Sequence, residues 1–126
     1  MYTTDSASLF TRMKVPIAVL VKTHANMFIR ELRLCQGPSI ADSVTASIAA
    51  EKLRRKPVEA LAELITHLEK PQPRDDWSKI EYGLILLITD LVRMMGVSIP
   101  KDIWEMDRKQ LLERFKWVHT WSAPVK

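Results

Sequence analysis

Three groups of side chains in this sequence have the types and spacing to do chemistry. Glu59, Glu63 and His67 recur at four-residue intervals. On a helix that spacing stacks all three on one face, where carboxylates and an imidazole can hold a divalent cation. The same row lies opposite Val58, Leu61, Ile65 and Leu68, so it also reads as an ordinary solvated face. Glu81 is the second candidate. At 100° per residue it falls in the arc of Trp77, Leu84, Ile85, Ile88 and Val92. A carboxylate on so apolar a face must be paired, protonated or bound to a metal. It is therefore either a structural acid, bonded to a partner such as His24, or a ligand or general base.

The third group is basic and aromatic. Arg108, Lys109, Arg114 and Lys116 alternate with Trp104, Trp117 and Trp121 near the C-terminal end. Cations beside rings suit a ligand with phosphates and bases. The same tryptophans could equally be core or dimer anchors. A second basic cluster, Lys52, Arg54, Arg55 and Lys56, is the densest in the chain. With the first set it forms the candidate phosphate or nucleic-acid surface. Other chemistry is scarce. No Ser sits in a Gly-x-Ser-x-Gly setting, and the lone Cys35 forms no Cys-cluster zinc site. His24 lies on an apolar stripe and reads as a core histidine, while His119 has no motif partner.

These side chains must be positioned by helices. The chain has 126 residues, 47% of them apolar and 27% charged, a globular composition of single-domain size. Three glycines argue against a Gly-rich phosphate loop and against a turn-dense all-β fold. Seven prolines fall where helices should begin or end. The spacing predicts an all-α, single-domain bundle of about five helices, at approximately 16–35, 39–55, 57–70, 76–95 and 99–120. Residues 1–14 read as a flexible N-terminal segment, and 15–126 as one helical domain.

Each helix has a predicted inner face. Ile17, Leu20, Val21, Phe28, Leu32 and Cys35 line the first; Ser39 caps the second, with Ile40, Val44, Ile48 and Leu53 inward. Val58, Leu61, Leu64, Ile65 and Leu68 face inward on the third. The fourth is apolar nearly all round and ends at Gly96. Ser98 caps the fifth, with Ile103, Trp104, Leu111, Phe115 and Val118 inward.

The net charge is +4. Residues 1–70 hold ten Lys/Arg against seven Asp/Glu and residues 71–126 nine against eight, so the excess lies mostly in the first half. That permits an anionic partner without selecting one. The longest apolar runs, Val15–Val21 and Leu84–Ile88, are far short of the roughly 18–20 residues a membrane span needs. Arg12 and Lys14 before Val15–Val21 faintly resemble a signal peptide, but the run stops at Lys22 without a cleavage site. A cytoplasmic protein is expected.

Residues 77–117 resemble the last two helices of the phage-type branch of the MazG-like, all-α nucleoside triphosphate pyrophosphohydrolases. The similar features are a very apolar helix ending in Asp90-x-x-Arg93-x-x-Gly96, a short Ser-bearing loop, and a final helix closing on Lys116-Trp117. The resemblance implies magnesium-dependent release of pyrophosphate in an oligomeric bundle. Glu59, Glu63 and Glu81 would hold the magnesium, and Arg108 or Lys109 would meet the phosphates. The chain departs from the family pattern at Ala60 and Leu84, where acids are expected, and at Leu112, where an Asn is expected.

Two functions follow. One is a small non-enzymatic helical module that engages a protein or nucleic acid through basic and aromatic surface and needs no cofactor. The other is a divergent or decayed pyrophosphohydrolase using magnesium. A homo-oligomer suits either, because the fourth helix and the late tryptophans offer more apolar surface than a small bundle must bury.

Overall fold

A computed structural model describes residues 17–35, 43–70 and 76–121 of the chain. They form an all-α bundle: α1 (Ile17–Cys35), α2 (Val44–Arg54), α3 (Pro57–Glu69), α4 (Asp76–Met94) and α5 (Arg108–Phe115). Short 3-10 turns at Ile103–Glu105 and Lys116–Thr120 flank α5. The described residues contain no strand. None of their helices is long and apolar enough to cross a membrane. The segments 1–16, 36–42 and 71–75 lie outside the described residues, and with them Ser39, Ile40 and the N-terminal expectation.

α4 is the central element, packed against α1, α2 and α3. Its Ile80, Leu84, Ile85, Leu87, Ile88, Leu91 and Val92 are buried. Thr89 is buried too, and its hydroxyl donates to the Ile85 carbonyl at 2.8 Å, which satisfies it inside the apolar core. The helix ends as its glycine predicts. Gly96 takes φ +77°, and the amides of Gly96 and Val97 donate back to the Arg93 and Val92 carbonyls at 3.0 and 3.2 Å. That is a Schellman cap. Two turns from its start, α4 approaches α1 so closely that a Cβ on Gly83 would overlap the fully buried Leu32.

α3 opens on Pro57, which supplies a helical φ and lacks the amide a first turn leaves unpaired. It buries Ala60, Leu61, Leu64, Ile65 and Leu68. On α1 the predicted stripe holds at Val21, Phe28 and Leu32, joined by Ala25 and Ile29, but Leu20 is exposed.

Two expectations are corrected. α2 starts at Val44, capped by Ser43, whose Oγ accepts from the Ala46 amide at 3.1 Å and donates to Glu31 of α1 at 2.8 Å. Its inner face is Ala46, Ala49, Ala50 and Leu53, while Val44 and Ile48 are 71% and 47% exposed. The reason is steric: α2 sits close to both α1 and α4, and alanines are what fit there. The fifth helix is not continuous either. Met106 takes extended backbone, and Asp107 then caps α5 in a reciprocal box with Gln110, at 2.8 and 2.9 Å. This separates Ile103–Glu105 from α5 and turns Trp104 outward, 49% exposed rather than inward.

Candidate functional site

The acidic candidates do not assemble. Glu59 is exposed, and Glu63 and Glu81 are half-buried. Among the described residues no group of three or more His, Cys, Asp or Glu is placed to hold a metal ion, so Glu59, Glu63 and Glu81 form no ready centre. Glu81 is not sealed in the core, contrary to its helical position; Thr89 is the buried polar residue there. Ala60, at the missing middle acid, is fully buried, so a carboxylate at that place would point into hydrocarbon. His67 serves packing: its Nε2 meets Asn26 Oδ1 at 2.7 Å and ties α3 to α1. His24 is half-buried rather than core. Burial of its ring, and secondarily the Lys52 ammonium, lowers its pKa below the ordinary 6.5.

The basic candidates split in two. Lys52, Arg54, Arg55 and Lys56 surround the α2–α3 junction, because Lys56 is the N-cap of α3. Arg108 sits at the far end of the same helix, donating to the carbonyl of Lys70 at 2.8 Å. The 13 residues of α3 put roughly 20 Å between these ends. Several of the charges are also engaged. Arg54 donates through Nη2 and Nε to Asp90 Oδ2 at 3.0 and 3.3 Å, Arg55 pairs with Glu51 at 3.4 Å, and Lys116 with Glu113 at 3.0 Å. Arg114 borders a cleft of about 310 Å³ shared with Asp102, Gln110 and Glu113, where two carboxylates offset it. Lys109 is exposed on α5.

The aromatic candidates also divide. Trp117 packs between Phe115 and Trp121, with ring centroids at 6.3 and 5.3 Å, and both tryptophans lie half-buried against the core. Trp104 instead leans on Tyr82 of α4 at 5.6 Å, and both rings are about half exposed.

One site appears that the sequence did not signal. Phe28 of α1, Ala46 and Ala50 of α2, and Gly83, Leu86 and Leu87 of α4 line an apolar groove of about 150 Å³. Ser47 and Arg54 complete its wall. It lies where Ala46 and Ala50 of α2 are too small to fill the space beside α4 and Phe28. No local pattern marks it, since its walls come from three helices far apart in the chain. No protein-family model matches the chain, and no curated protein or solved structure matches it either.

Proposed function

We propose that this chain is a small non-enzymatic helical binding module whose partner is a protein, held at the apolar groove between α1, α2 and α4. The groove carries the reading. It is lined by Phe28, Ala46, Ala50, Gly83 and Leu87, and Leu86 stands exposed at its edge. An apolar groove between helices is where an amphipathic segment docks with single side chains as anchors. Nucleic acid is supported less well, because the basic residues are divided between the two ends of α3 and partly paired. The pyrophosphohydrolase alternative needs Glu59, Glu63 and Glu81 around one magnesium, and their positions lend it no support.

Three assays on one dilute preparation test this. Labelled amphipathic helical peptides with leucine anchors should raise fluorescence polarisation, and Ser47→Glu should abolish it. Binding to none of the peptides overturns the reading. Oligonucleotide binding that weakens steeply with salt would replace it with nucleic-acid recognition. Magnesium-dependent pyrophosphate release that falls in Glu81→Gln would replace it with hydrolysis.

A further inference from the structure

Resting on the protein-binding reading, we infer that the occupant of the groove is a second copy of this chain, docked about a two-fold axis so that Leu86 of each copy fills the other's pocket. Size is the first reason. Ligand pockets usually run to roughly 300–1,000 Å³. This one, about 150 Å³, matches a cavity that holds a single small ring or aliphatic group. It takes one side chain, not a metabolite.

Self-complementarity is the second. An isologous contact requires one patch to supply both knob and hole. Here Leu86 projects from the rim of the hollow it borders, 42% exposed where its neighbours Leu87 and Gly83 are buried. The hollow has small walls, Ala46, Ala50 and Gly83, into which a leucine can pass.

Charge is the third. The one ionic side chain in the wall, Arg54, is already held by Asp90, so closing the groove strands no unpaired guanidinium.

Area is the fourth. Tyr82, Leu86 and Met94 recur at four- and eight-residue spacing along α4, and Trp104 packs on Tyr82; all four are more than 40% exposed. Together they offer on the order of 300–400 Å² of apolar surface, the size of a monomer's largest and often functional patch. A small interface of about 600 Å² per partner, roughly 60% of it apolar, is what such a strip supplies, so association in the micromolar range is expected.

Sedimentation velocity on the full chain, from low to high micromolar concentration, tests the inference. The wild type should sediment with twice the 14.5 kDa chain mass. Leu86→Arg and Ser47→Glu should each weaken association at least about 100-fold, since each places a charge at the symmetric contact twice. Both positions are exposed within their helices, so circular dichroism should stay unchanged. Leu34→Arg, at an apolar residue on α1 that is even more exposed and lies outside the groove, should leave the dimer intact. A wild-type monomer throughout overturns the second-copy inference while peptide binding can still uphold the binding module. A dimer that survives Leu86→Arg, or is lost equally in Leu34→Arg, overturns the assignment of this surface.

Discussion

Gly83→Ala sets two effects of known size against each other. Alanine in a helix interior is favoured over glycine by about 1 kcal/mol, so propensity alone predicts stabilisation. The new methyl would overlap Leu32 Cδ2, and Leu32 is fully buried on α1. The clash falls on a side chain with no exposed surface, so we place it toward the upper end of the roughly 1–3 kcal/mol cost of overpacking. The net expectation is a loss of about 1–2 kcal/mol. Leu32→Ala alone should cost about 2–5 kcal/mol through its cavity. In that background the clash is gone, and Gly83→Ala should stabilise by about 1 kcal/mol. The cycle therefore carries a favourable coupling of roughly 2–3 kcal/mol, well beyond the scatter of independent sites. Urea unfolding of the four proteins measures it, as a midpoint drop near 1 M for the single glycine variant at an m-value of about 2 kcal/mol/M. A stabilised Gly83→Ala in the wild-type background would refute the close approach of α1 and α4.

Four other outcomes are expected. Ala60→Glu, which supplies the acid the MazG-like pattern would place there, should destabilise by about 3 kcal/mol or more because the site is fully buried, and calorimetry with magnesium should show no recovery. Ser43→Ala removes the α2 cap and its bond to Glu31, and should cost about 1–2 kcal/mol in thermal or urea unfolding. Gly96→Ala should cost about 1 kcal/mol in the same measurement, since φ +77° penalises a Cβ although nothing crowds it. His24 sets a pH dependence. Its folded pKa is lowered, so the unfolded chain binds the proton more readily, and stability present above about pH 6.5 declines as pH falls below it. His24→Gln should flatten that decline in denaturation midpoints measured between pH 7.5 and 5.

Much of the fold was legible because the interactions that set it are local. The all-α class, the start of α3 at Pro57, the end of α4 at Gly96, most of the inner faces of α3 and α4, and Val21, Phe28 and Leu32 of α1 follow from periodicity and caps. The reading failed where two local signals competed. Val44 and Ile48 looked like an inner face by hydrophobicity, yet Ala46, Ala49 and Ala50 point inward. Ser98 looked like a cap, but the Asp107–Gln110 box came later and broke the last helix. Glu81 looked buried because a helical projection knows the angle of a side chain but not the depth of its neighbours.

The sequence by itself determined the helices and most of their inner faces, since those depend on residues within a turn or two of one another. It also marked every charged and aromatic candidate. Only the tertiary structure decided which of them meet. Arg54 and Asp90, 36 residues apart, became a pair that neutralises one wall of the groove. Glu59, Glu63 and Glu81 form no three-residue metal group among the described residues, and Arg108 went to the opposite end of α3 from Lys56. The groove is the clearest case. The small residues of α2 point to close helix approach, but a groove forms only when packing brings three helices side by side.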